Sequence, residues 1–272
     1  MGGNVKIGDI SAVPFKINEC NRFGFIMMVR SFTSDLDYMY YKSVGHYIWN
    51  DRVPYSGSTK HLMDTRITDS EFCRHKDEIG DIDILVDSSH RKELEKLFEY
   101  GKRIGSYIVV GLKRHGLETS LLCRNSGGDI HQFDLVYVDD AEIQQAEFLH
   151  SSDWEDIKEG IKGVHHKLLL NAAGGEHYKF SITHGLRRRD IEQEKGITSP
   201  QVIHYALFGT KCPVTNVLSF KGIVESIEKM PVRGGVSREE MNRAIYDKFI
   251  ESCLKIKNVD HKPAIDYLER II

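Results

Sequence analysis

Residues 81–87 read Asp-Ile-Asp-Ile-Leu-Val-Asp, and no other stretch narrows the possible folds as much. An unbroken Ile-Leu-Val run bounded by polar residues is the pattern of a strand buried on both faces. In a strand, residues two apart point to the same side, so Asp81 and Asp83 project together. Two carboxylates one strand step apart repel each other unless a positive charge sits between them. A divalent cation is the usual answer, and Mg²⁺ takes carboxylate oxygens together with substrate phosphates. Taken alone, the triplet is equally a strand end whose carboxylates face water.

The sequence around this strand alternates in a readable way. "SSHRKELEKLFEYGKRIG" (88–105) reads as a helix, capped by Ser88 or Ser89 and ended by Gly101 or Gly105. Strands follow at 106–115, 118–125 and 130–138, with turns around His115-Gly116 and at 126–129. Upstream, the apolar, aromatic-rich run 23–32 reads as a strand, 34–49 as a helix capped by Ser34, and 63–80 as a loop or short helix. From about 151 onward helical patterns dominate: 153–175, 198–209, 218–230, 237–256 with a Ser237–Glu240 capping box, and 262–272. The expected class is α+β: a small mixed β-sheet with flanking helices, followed by a C-terminal helical lobe. The expected division is a first domain over 1–180 and a helical one over 181–272.

Two further features bear on the acidic pair. Asp134 sits inside the apolar run "HQFDLVYV", on the alternation face of Ile130, Gln132 and Val136. A carboxylate inside a buried strand is costly unless it binds a partner or a metal. If that strand lies beside 81–87, Asp134 joins Asp81 and Asp83; on an edge strand it would simply face water. Upstream, "YSGSTKH" offers a Gly57-Ser58 turn entering a helix, with free N–H groups and a hydroxyl suited to phosphate oxygens.

Composition excludes several classes. The 272 residues, 40% apolar and 28% charged, suit a globular protein, and a net charge of −3 argues against a surface coated for non-specific DNA binding. No apolar run reaches the length of a membrane span. The N-terminal stretch lacks a signal-peptide core, and Lys6 breaks the myristoylation pattern after Gly2. Five scattered cysteines read as reduced thiols, and the expected location is cytoplasmic. His165-His166 lacks a third ligand at zinc spacing, and no Walker, GxSxG or HExxH sequence is present. The densest basic run is "HGLRRRD" (184–190), read either as a grip on RNA or triphosphate or as a solvated turn neutralised by the acids after it.

The order of Gly57-Ser58, then Asp81-Ile82-Asp83-Ile84, then Asp134 resembles the nucleotidyltransferase superfamily typified by DNA polymerase beta. The likeness covers roughly residues 50–140, and the spacer between Ser58 and Asp81 is longer than the family's. What it implies is a metal-dependent nucleotidyltransferase that moves a nucleoside monophosphate from a triphosphate to an acceptor hydroxyl and releases pyrophosphate. Mg²⁺ (or Mn²⁺) would be held by Asp81, Asp83 and Asp134. Gly57 and Ser58 would hold the triphosphate, with Lys60 and Lys167 as candidate nucleotide-binding cations. Lys167 reads equally as a surface lysine on its apolar helix. The acceptor implied is an RNA end, a small molecule or a protein, RNA being met through Arg187, Arg188 and Arg189. The alternatives are a non-catalytic nucleotide- or partner-binding protein of the same fold, and an accidental Asp-x-Asp whose three carboxylates lie far apart.

Overall fold

In the computed structural model, residues 6–7, 9–139, 153–181, 185–191, 196–209, 212–232 and 234–271 are described. The Met1-Gly2 terminus, His184 of the basic run and the acids at 192–195 lie outside them. By internal contacts the chain divides into two compact units, 1–147 and 148–272.

In the first unit, three two-residue strands, β1 (Lys6–Ile7), β2 (Ile10–Ser11) and β3 (Phe15–Lys16), lead into helix α1 (Arg22–Val44). Helices α2 (Gly57–Met63) and α3 (Asp69–His75) follow, then strands β4 (Glu78–Ile79) and β5 (Ile82–Asp87), and helix α4 (Arg91–Leu97). The unit closes with β6 (Arg103–Ile104), β7 (Tyr107–His115), β8 (Glu118–Arg124) and β9 (Ile130–Val138). Five strands form a mixed sheet in the order β5-β9-β8-β7-β6, in which only β5 and β9 run parallel.

Helix α1 overturns the expected strand at 23–32. Its buried residues Ile26, Val29, Phe32, Thr33, Leu36 and Tyr40 recur every three or four positions, while Phe23 and Met27 are 68% and 46% exposed. That is the helical period, not alternation. Ser34 is consequently an interior helix residue rather than a cap. The helix stops at Gly45, whose φ of 85° is left-handed and whose N–H donates to the Tyr41 carbonyl at 2.8 Å. Helix α4 is shorter than the expected 88–105: it ends at Leu97, and residues 88–90 form a 3₁₀ turn. Neither serine caps it: Asp87 caps the 3₁₀ turn, its carboxylate accepting from the Ser89 N–H at 3.0 Å, and α4 starts from His90 with no side-chain cap.

The sheet has one closed face. Phe32 of α1 stacks on Phe133 of β9 with centroids 3.6 Å apart, and Arg91 of α4 lies over Tyr137 at 4.9 Å. Phe133, Leu135 and Tyr137 therefore point toward the helices, and by strand alternation Gln132, Asp134 and Val136 point to the opposite face. The site lies on that second face.

In the second unit the helices are α5 (Trp154–Lys158), α6 (Gly163–Gly174), α7 (Pro200–Phe208), α8 (Phe220–Lys229), α9 (Arg238–Leu254) and α10 (Lys262–Glu269). Leu169, Leu170, Leu207, Phe220, Ile223, Phe249 and Leu268 share its core. The Ser237–Glu240 capping box is present at the start of α9. The unit also holds a β-hairpin, β10 (Tyr178–Ser181) and β11 (Gly185–Arg188), which the basic sequence of this stretch did not announce. Phe180 and Leu186 anchor the hairpin in the core. Helix α6 packs on α8 and α9, so contacts place the division earlier than 180. No helix among the described residues is long and apolar enough to cross a membrane.

Candidate active site

Strand β5 sits at one end of the sheet but is paired on both sides. On its inner side the register with β9 sets Asp83 directly against Asp134. On its outer side the Ser56 N–H donates to the Asp83 carbonyl at 3.2 Å, and the Leu85 N–H donates to the Pro54 carbonyl at 2.9 Å. Thr59, in the first turn of α2, links the two acidic residues. Its hydroxyl accepts from the Asp83 N–H at 3.0 Å and donates to the Asp81 carbonyl at 3.5 Å. The backbone on which both carboxylates ride is therefore fixed by the segment that contains the Gly-Ser turn.

Gly57 opens α2 with φ of +57°, in the left-handed region. A Cβ built at this position would stand 2.2 Å from Oδ2 of Asp83, so the Asp83 carboxylate packs directly on the glycine. Ser58 and Lys60 follow in the same short helix, both half-buried. The long spacer from Ser58 to Asp81 is taken up by the rest of α2, α3 and β4.

Asp81, Asp83 and Asp134 each offer a carboxylate oxygen, and the three atoms lie within 4.8 Å of one another. Among the described residues this is the one group of three or more His, Cys, Asp or Glu side chains placed to hold a metal ion. The convergence is the opposite of what an accidental Asp-x-Asp requires. Asp134 is only 2% exposed and Asp81 6%. Asp134 accepts a hydrogen bond from Gln132 Nε2 at its Oδ2, 2.8 Å away. Its Oδ1, like Oδ2 of Asp81, is buried with no hydrogen-bond partner among the described residues. Buried carboxylate oxygens without donors are rare, because each forfeits its hydration for nothing.

Electrostatics follow from that crowding. Burial raises the Asp134 pKa to about 7, with Glu118 and Asp81 pushing the same way and the Gln132 hydrogen bond pulling back. Burial, then Asp81 and Asp134, hold the Asp83 carboxyl well above its usual range. Asp81 is raised by burial as well, with Lys76 opposing. Three carboxylates whose proton-free forms are disfavoured by one another are a receptor for multivalent positive charge.

Glu118 and Ser120 are site residues that the motif order did not reveal. Ser120 stands opposite Asp134 in the antiparallel β8–β9 pair, and its hydroxyl donates to Glu118 at 3.1 Å. The signal was available: the turn at 126–129 fixes that register, which puts Glu118, Ser120 and Asp134 on one face.

The remaining sequence candidates belong to the second unit. Lys167 lies on α6. Arg187 and Arg188 are on β11, and Arg189 follows directly. Arg188 is ion-paired with Asp190, and the Arg189 Nε–H donates to the carbonyls of Tyr178 at 3.0 Å and Gly175 at 3.2 Å. Arg188 and Arg189 thus have partners inside the unit. His165 and His166 are hydrogen-bonded to His261 and to the Val217 carbonyl. Compared with known proteins, the chain matches no family model and no curated protein.

Proposed function

We propose that this chain is a metal-dependent nucleotidyltransferase built on a nucleotidyltransferase-like fold. The observation that carries the reading is the triad itself: three carboxylates gathered on one sheet face, two with buried oxygens that have no donor among the described residues, and Asp83 packed against a glycine-serine turn. The donor set is all oxygen, which suits Mg²⁺ or Mn²⁺. Asp81, Asp83 and Asp134 would hold the ion. When bound, it supplies the positive charge that lets these carboxylates ionise side by side and offsets the charge of a triphosphate.

The chain's own groups do the rest. Gly57, with no side chain, lets the Asp83 carboxylate pack against the turn that would meet the phosphates. The Ser58 hydroxyl and the N–H groups of this turn would donate to the β- and γ-phosphates, with Lys60 as a nearby cation. An acceptor hydroxyl attacks the α-phosphorus, the bond to the β-phosphate oxygen breaks, and pyrophosphate leaves. Asp134 is the group best placed to favour loss of the hydroxyl proton. An RNA acceptor would engage the arginines at 187–189, while a small-molecule or protein hydroxyl would leave them unused. A cytoplasmic setting suits all three.

The test is incubation with each labelled ribonucleoside triphosphate and Mg²⁺ or Mn²⁺, against separate RNA, protein and small-molecule fractions. Label transfer to one fraction is expected, reduced about 10²-fold or more in the Asp81→Ala/Asp83→Ala variant. Transfer that survives the double substitution refutes the mechanism.

A further inference from the structure

One buried cation in the first unit is not explained by packing. Arg22, the first residue of α1, is 1% exposed. Its Nη1 donates to the Ile67 carbonyl and to the Asp69 carboxylate, the latter at 3.0 Å. Its Nη2 reaches the carbonyls of His61 at 3.3 Å, Leu62 at 3.0 Å and Asp64 at 3.0 Å. The guanidinium also lies over the Phe72 ring, 4.7 Å from its centroid. One side chain therefore gathers the last carbonyls of α2, the turn after it and the start of α3. Burying an arginine is expensive, and a buried arginine is kept where its planar fork does something that no apolar side chain could.

What it holds is the far end of the helix that begins at the site. α2 has seven residues, too few to persist without outside support, and the Ser56 side chain makes no cap hydrogen bond at its start. It has two anchors. Thr59 ties its first turn to the backbone of Asp81 and Asp83, and Arg22 ties its last turn to α1. Between those anchors the helix is a lever: a tilt at the Arg22 end lifts Gly57 and Ser58 away from the Asp83 carboxylate. The guanidinium charge also lies at the carbonyl end of the helix, where a cation is favourable.

We propose that Arg22 is a positioning residue for the Gly57-Ser58 turn, setting how closely that turn meets the carboxylates and hence how tightly the site takes a metal–triphosphate. The proposal rests on the nucleotidyltransferase reading. Arg22 touches no reacting atom, so its loss weakens triphosphate binding and raises KM, with a smaller effect on kcat. Metal binding by the three carboxylates alone depends on β5 and β9 and changes little.

The experiment measures Mn²⁺ binding by paramagnetic titration, then binding of each ribonucleoside triphosphate with Mn²⁺ present, for wild type, Arg22→Lys and Arg22→Met at temperatures where each is folded. The expected result is a tenfold or greater loss of triphosphate affinity in Arg22→Met with Mn²⁺ affinity within threefold of wild type. Arg22→Lys, which restores the charge but not the fork, is intermediate. A wild type that binds neither Mn²⁺ nor triphosphate sinks the nucleotidyltransferase reading instead. Lower melting temperature with unchanged triphosphate affinity overturns the positioning role and leaves Arg22 a structural residue. Should neither Arg22 variant fold, Asp69→Ala carries the test. It removes one partner of the guanidinium and leaves the four carbonyls. At least a threefold affinity loss is expected, and an unchanged affinity overturns the proposal.

Discussion

Asp134 stands between Phe133 and Leu135 in a strand interior to the sheet, and its pKa of about 7 records what that placement costs. In the unfolded chain the same carboxyl ionises near the ordinary 3.9. A group whose folded pKa is raised binds more protons folded than unfolded, so its contribution to stability falls as pH rises from about 4 through about 7. In metal-free protein the transition of the first unit is therefore expected at lower temperature at pH 8 than at pH 5.5, and Asp134→Asn to flatten that dependence while raising its melting temperature at pH 8. Mn²⁺ should reverse the trend, since it binds the ionised carboxylates and releases protons. Thermal melts with chelator and with Mn²⁺ at the two pH values check all three outcomes. At Gly57 the expectation is different in kind. Gly57→Ala forces a left-handed alanine, costing about 1–2 kcal/mol, and drives its Cβ into the Asp83 carboxylate. Urea unfolding should show the stability loss, and Mn²⁺ titration a weaker site. These residues were legible in the sequence because each breaks a local rule: acids in an apolar strand, a glycine before a serine at a helix start. Glu118 and Arg22 broke no such rule. Glu118 sits at a strand end where acids are ordinary, and Arg22 looks like any polar residue before an apolar run.

Elements were legible to the extent that one period dominated. β7, β8 and β9 and helices α7 to α9 follow their turn and cap signals closely. Run 23–32 misled because its apolar residues are dense enough to satisfy both periods. Burial of Ile26, Val29 and Phe32, with Phe23 and Met27 left outside, is decided by packing on the sheet and not by the sequence window. The hairpin β10–β11 was hidden for the opposite reason: Lys179, Arg187 and Arg188 give it too little alternation, and only Phe180 and Leu186 mark the inward face. Strand β5 needs an element with no period at all, the Pro54–Thr59 segment, to satisfy its outer edge. Thr59→Val leaves the Asp83 N–H without its acceptor and should cost about 1–3 kcal/mol. Isothermal unfolding of the variant measures it. Chelator should deepen the difference, because bound metal would otherwise hold Asp81 and Asp83 together from the side-chain end.

Across the whole molecule the two units carry opposite responses to acid. In the second unit, burial lowers the pKa of His165 to about 4, helped by His261 and Lys162 and opposed by Asp260. His166 is likewise lowered to about 4 by burial, against the bond to the Val217 carbonyl. A histidine with a depressed pKa binds fewer protons folded than unfolded. Its support is complete above about 6.5 and is lost as pH falls toward 4. Asp156, raised to about 6 by burial, acts in the reverse sense, but His204, also lowered by burial, joins the two histidines against it. Calorimetry in chelator at pH 7 and pH 5 should resolve a transition that drops on acidification and one that rises, with Mn²⁺ moving only the latter. A single transition moving one way at both pH values would contradict this pairing.

The pairing of Asp83 with Asp134 across β5 and β9 has a consequence for how such a chain can change. The segment between them, from α4 through the β8–β9 turn, can lengthen or shorten at its bends without disturbing the pair. One residue gained or lost inside β9 before Asp134, by contrast, turns the acid into the Phe133 layer against α1 and presents a phenylalanine or leucine to the metal face. Indel scanning would therefore find a sharp boundary: tolerance at 125–129, where the Asn125 N–H closes the turn on the Asp129 carbonyl, and none a few residues later. Heredity in this protein is read with a frame of its own, two residues wide.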